Sequence, residues 1–139
     1  MAADMTLLPE PLAAYVHEHT TPEAAPFVAL RAETHSTLAE PHMQVGRVEG
    51  AFLKLMVQLS GARRILEVGT FSGYSAMAMA SGLPAEGKLI TCDIDPVATS
   101  MARRHWEASP WADKIELRLG DARETLAELA RAGERFDML

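Results

Sequence analysis

The chain has 139 residues, 48% of them hydrophobic, with 19 acidic residues against 13 Lys and Arg and a formal net charge of −6. That length suits one domain with a packed core, and the acidic balance excludes the basic stripe that meets nucleic acid or an anionic membrane surface. The lone Cys92 excludes an internal disulfide and suggests a reducing, cytoplasmic setting; the opening MAADMTLLPEP lacks the basic and apolar regions of a signal peptide, and no apolar run approaches the roughly 18 residues of a membrane span.

The first sixty residues read as helical. Leu12 to Glu18 forms a short amphipathic piece. Thr21-Pro22 reads as an N-cap followed by proline at the first helical position, and Phe27, Leu30 and Leu38 mark the apolar face of the helix it opens. Pro41 stops that helix, and His42 to Arg47 is expected to be loop. Glu49 to Leu59 is a further helix with Phe52, Leu53, Met56 and Val57 on one side, closed by Ser60-Gly61.

The texture changes after residue 61. Arg64 to Val68 is short and apolar, as in a buried parallel strand, and an Ala- and Met-rich helix follows from Ser75 to Leu83. Pro84 to Gly87 turns the chain into a second buried strand, Lys88 to Ile94. Asp95-Pro96 caps a helix that runs to about Ala108. Ile115, Leu117 and Leu119 alternate with Glu116 and Arg118 as a third strand. Asp121 and Glu124 form a capping-box variant for another helix, Gly133 ends it, and FDML begins a fourth strand. Strand and helix in alternation imply an α/β fold with a parallel, Rossmann-like sheet behind N-terminal helices. The expected division is a helical segment at 1–61 and the first half of the Rossmann-like domain at 62–139. Ligands in such sheets bind at the carboxyl ends of the strands, so the loops after Val68, Ile94 and Leu119 carry the site.

Those loops hold specific chemistry. Gly69 and Gly73 let the backbone turn sharply and let a ligand approach without a Cβ in its way. The following helix presents its free N–H groups and positive end, with Ser75 adding a hydroxyl. Glu67 faces the same space and would repel a phosphate there. A head group bearing both an ammonium and a carboxylate resolves that conflict, the ammonium toward Glu67 and the carboxylate toward the helix start. Asp93, at the end of the second strand, is placed to accept hydrogen bonds from a ribose diol. Gly120-Asp121-Ala122 can read the edge of an adenine ring. An amino acid, a ribose and an adenine together describe S-adenosylmethionine. The rival ligand is a nicotinamide dinucleotide, since Gly73 and Asp93 are twenty residues apart, but Phe71 stands where G-x-G-x-x-G needs glycine.

The stretches ILEVGTFSGYSAMAMA, GKLITCDIDP and ADKIELRLGDARETL, with HMQVGRVEGAFLKLMVQLSGARRILEVG upstream, resemble the cation-dependent O-methyltransferases typified by caffeoyl-CoA and catechol O-methyltransferases. The resemblance covers most of 42–139. It implies methyl transfer from S-adenosylmethionine to one hydroxyl of a small catechol-like aromatic diol chelated by a divalent cation, usually Mg2+, in a homodimer. By position it implies that Glu67, the Gly69–Thr70 backbone and Ser75 hold the methionine part, Asp93 the ribose, and Ala122 with Asp121 the adenine. Val45 would touch the cofactor and Met43 would lie near the substrate. The family's metal ligands follow the fourth strand, where FDML ends this sequence. Neither a catalytic nor a metal residue is therefore expected among these 139, and a free edge on the first strand is. A cofactor-binding or dimerising remnant is the alternative implied.

Overall fold

The computed structural model describes residues 7–139. Two helices lead: α1, Glu10–His19, of which only Ala13 is buried, and α2, Ala25–Thr37, which buries Leu30 and Thr34 completely. The α2 helix starts later than Thr21-Pro22 suggests. Pro26 occupies its first turn, where no N–H is needed, and Glu23 is drawn inward instead of continuing a helix. The Glu23 carboxylate accepts from the Tyr74 hydroxyl at 2.6 Å and pairs with Arg31 at 2.7 Å, so tertiary contacts override the local cap. The expected stop at Pro41 also moves: α2 ends at Thr37, and Pro41 opens a single 3₁₀ turn, Pro41–Met43.

The α3 helix spans Arg47–Ser60 and closes on Gly61 at φ 66°, a left-handed geometry that favours glycine. Of the face expected there, Val57 is buried and Leu53 packs against the core, while Phe52 and Met56 are exposed. Gly50 is the reason α3 can approach α4 (Tyr74–Gly82): a Cβ at Gly50 would lie 2.7 Å from the Tyr74 ring.

Strands β1 (Arg64–Val68), β2 (Lys88–Asp93) and β3 (Ile115–Leu119) pair in parallel in the order β1-β2-β3. The expected fourth strand is present as one parallel bridge, Ile65 with Met138, on the other edge of β1. The Leu66 amide donates to Met138 and the Asp137 amide to Arg64, at 3.0 and 2.8 Å. The free edge anticipated for β1 is thus paired from Arg64 to Leu66.

Side-chain alternation sorts the two faces. Ile65 and Leu89 join one cluster with Leu30, Val57, Met77 and Met101, under α2 to α4 and α5 (Pro96–Glu107). Leu66, Ile90 and Cys92 face Leu129 of α6 (Ala122–Arg131). The first cluster crosses the 61/62 junction, so the leading helices and the sheet share a core. Trp106 fixes the glycine turn from beneath, its indole N–H donating to the Gly73 carbonyl at 3.0 Å.

Candidate functional site

The three strands end on the same side. Beyond them the ladder continues for one more residue: the Gly69 amide donates to Cys92 and the Gly120 amide to Asp93, each at 2.8 Å. Those bonds draw the three loops together. The glycines adopt φ 101°, 86° and 143° at 69, 73 and 120. A Cβ at Gly69 or Gly120 would meet nothing within 4 Å, leaving open space above the turn, whereas one at Gly73 would strike the Trp106 ring at 2.6 Å. Glycine is therefore needed at 73 by packing, and at 69 and 120 by conformation and approach.

Glu67 is the centre of a hydroxyl network. One carboxylate oxygen accepts from Ser75 at 2.5 Å and the other from Thr91 at 2.6 Å. Ser75 lies in the first turn of α4 and spends its hydroxyl on Glu67 rather than on a helix cap. Burial pushes the Glu67 carboxyl up to about 7 against the lowering effect of the two hydroxyls, and the nearby Asp93 charge adds to the rise. A carboxylate offers about four acceptor positions. Two remain on Glu67, which lines a recess of about 360 Å3 together with Val68, Met79 and Met138.

Asp93 is more committed than its sequence position suggests. One oxygen accepts from the amides of Thr70 and Phe71 at 2.8 and 2.7 Å, and the other from the Asp95 amide at 2.9 Å. Burial pushes its carboxyl up, but the backbone amides outweigh that and hold it below the usual carboxylate range. The Ile94 amide also bears on the carboxyl, so little of its acceptor capacity is left for a diol. The same bonds redirect Thr70: its amide serves Asp93 and its carbonyl accepts from Gly73, so its backbone supports the turn. A crevice of about 520 Å3 opens beside it, lined by Met43, Gly69, Phe71, Asp93 and Val97.

The third loop divides. The Asp121 side chain caps α6 through the Arg123 amide and pairs with the Arg123 guanidinium, which holds its carboxyl down to about 2. That occupies both oxygens. Glu124 adds no return bond to the cap. The Ala122 amide, by contrast, is a free first-turn N–H. Val45 packs against the core rather than lining the crevice. Thus Met43, Gly69 and Asp93 border one space and Glu67 another, and Asp121 and Ala122 line neither.

Three residues were missed in the sequence. Thr91 is fully buried under Glu67, Phe71 holds a left-handed φ of 49°, and Gln44 donates to both Thr34 and Ser72 at 2.8 Å, tying the Pro41–Met43 turn to the glycine loop. Thr91 was readable as the one hydroxyl inside the apolar run KLITCDI. Among the described residues, no three His, Cys, Asp or Glu side chains gather to hold a metal ion.

The O-methyltransferase family model matches residues 17–139. The catechol O-methyltransferase of Niastella koreensis is 39% identical over 115 residues, covering 80% of this chain and 52% of the relative. The catechol O-methyltransferase domain-containing protein 1 of Mus musculus is 37% identical over 108 residues, covering 76% and 41%. The crystal structure of the Bacillus cereus O-methyltransferase in complex with SAH superposes with a TM-score of 0.80 at 30% identity, over 87% of this chain and 55% of that one. TomG from Streptomyces achromogenes, in complex with SAM, gives 0.81 at 30% identity, over 88% and 55%. This chain spans about half the length of the curated relatives it matches.

Proposed function

The chain belongs to the O-methyltransferase family, and from that premise we propose that residues 62–139 form the cofactor-binding half of an S-adenosylmethionine-dependent enzyme that methylates a hydroxyl of a small catechol-like aromatic. One observation carries the cofactor reading. Glu67 is a partly buried carboxylate, held by two hydroxyl donors, with two acceptor positions unused and no cation paired with it among the described residues. An acid in that state favours a positively charged ligand, which would hold it ionised.

The residues present fit that cofactor. Glu67 would take the ammonium of its amino-acid part, and the open Cα of Gly69 admits close approach. Asp93 would accept from a ribose hydroxyl with what its amide partners leave free, and the Ala122 amide would donate to a ring nitrogen of adenine. When bound, S-adenosylmethionine supplies an electrophilic methyl group on sulfur. The chain's own contribution is orientation, which makes the encounter of hydroxyl and methyl effectively unimolecular. Met43, exposed in the lining of the crevice, is assigned to the acceptor side, as the family resemblance implies. The names of the Niastella koreensis and Mus musculus relatives support a catechol-like acceptor, and the SAH and SAM complexes of the two neighbours support the cofactor.

A divalent cation belongs to the same proposal through the family resemblance alone, and among the described residues no three His, Cys, Asp or Glu side chains gather to hold one. Homodimerisation is supported by the exposed row Phe52, Leu55, Met56 and Leu59 on α3, which recurs at helical spacing. A cytoplasmic setting is supported by the single, buried Cys92, and none of the described helices is long and apolar enough to cross a membrane. Titration with S-adenosylhomocysteine tests the cofactor; a catechol assay with and without Mg2+ tests the acceptor and the cation.

A further inference from the structure

We propose that Thr91 is a positioning residue for the cofactor's amino-acid head group: its hydroxyl, aimed by Thr70, holds the Glu67 carboxylate as a pure acceptor turned toward an ammonium. This rests on the cofactor reading above and concerns the same site.

Glu67 and Thr91 are Cα partners across β1 and β2, so their side chains leave the same face of the sheet side by side. Thr91 is completely buried and has one proton to give. That proton goes to Glu67 at 2.6 Å. The contact of 2.7 Å between the Thr70 and Thr91 hydroxyls must then run the other way, with Thr70 donating. With Glu67 ionised, the chain Thr70 to Thr91 to Glu67 therefore has a single direction. Ser75 donates to the second oxygen of Glu67.

Two donors on two oxygens fix the rotamer and favour the ionised form. A protonated Glu67 would instead donate to Ser75 or Thr91, reversing that bond and turning a hydrogen toward the space an ammonium needs. Burial pulls the other way, favouring the neutral acid, as does the Asp93 charge. The other ionisable side chain coupled to Glu67 is Cys92, on the opposite face of β2, whose thiol burial pushes up and so keeps neutral. Ser75, from α4, brings no charge. The donors alone therefore keep the acid ionisable near neutral pH, and Thr91 is the donor that no solvent-facing group can replace.

The test uses the whole chain with Thr91→Val, Thr91→Ser and Thr70→Val. The Glu67 carboxyl is titrated by 13C NMR, and S-adenosylhomocysteine affinity is measured across pH. Thr91→Val is expected to raise the Glu67 midpoint by about one pH unit, the equivalent of one lost hydrogen bond to a charge. It should also weaken the ligand about tenfold at neutral pH, with the deficit shrinking as pH rises. Thr91→Ser restores both. Thr70→Val, which frees the Thr91 hydroxyl to rotate, gives a smaller rise, and it carries the test if Thr91→Val does not fold. An unchanged midpoint in the valine variants, or a serine variant that behaves like valine, overturns the assignment. If S-adenosylhomocysteine fails to bind even the parent chain, the cofactor reading falls, and the Glu67 midpoint still decides the role of Thr91.

Discussion

Asp93 Oδ2 accepts the Phe71 amide hydrogen across 2.7 Å, so the acid that ends β2 clamps a non-glycine residue held at φ 49° in the loop after β1. A bulky residue in that region is strained by roughly 1–2 kcal/mol, and the charged bonds to Phe71 and Thr70 offset the strain. Asp93 thus shapes the crevice before it touches any ligand.

Asp93→Asn leaves one acceptor oxygen for three amides and turns an N–H2 toward one of them. The expected loss of stability is ~1–3 kcal/mol, read by thermal or urea unfolding. The sign with pH follows from the lowered carboxyl. The contribution is present above the unfolded value of 3.8 and is lost as pH falls through the lower folded value, so parent and variant converge in acid. A gap that persists at low pH would mean that the charge is not what holds the turn.

Glu67→Gln is expected to separate stability from binding. Folding raises the Glu67 carboxyl from 4.5 to about 7. Folding therefore favours the protonated acid, a contribution complete below about 4.5 and lost as pH climbs through 7. The amide escapes that loss. The variant should gain on the order of 2–3 kcal/mol over the parent as pH goes from 5 to 8, while S-adenosylhomocysteine affinity falls about 10- to 100-fold. Parallel unfolding curves at the two pH values would contradict the raised carboxyl.

Gly73→Ala and Gly69→Ala should differ in kind. At Gly73 a methyl group meets Trp106 and Ala102 at 2.6 and 2.7 Å, and φ is 86°. Unfolding should become easier by roughly 2–4 kcal/mol. At Gly69 the space is open, so only the φ of 101° is penalised, by ~1–2 kcal/mol. The larger effect at Gly69 is expected in ligand affinity. Equal stability losses at the two positions would show that the turn relaxes around an added Cβ.

Much of this was legible in the sequence. Arg64–Val68 stood out as a strand because an apolar run of that length between glycine-rich segments has few other folds. Asp95 and Asp121 read correctly as caps because capping is local, the side chain reaching amides two or three residues on. What failed to show was non-local. Thr21-Pro22 carries a sound helix-start signal, yet Glu23 is captured by Arg31 and Tyr74, the latter 51 residues away. The Thr91–Glu67 contact needs the inter-strand register, which no single strand encodes. The saturation of Asp93 and Asp121 by amides and by Arg123 depends on loop geometry, so sequence could name these acids without telling how much of each is left for a ligand.

The most direct test of the central claim is an amide NMR titration of this chain with S-adenosylhomocysteine and, separately, with NAD. Saturable shifts at Gly69, Ser75, Gly120 and Ala122 with the first ligand, lost in Glu67→Gln, and none with the second are the predicted result. Shifts with NAD alone, or none with S-adenosylhomocysteine at millimolar concentration, would contradict it.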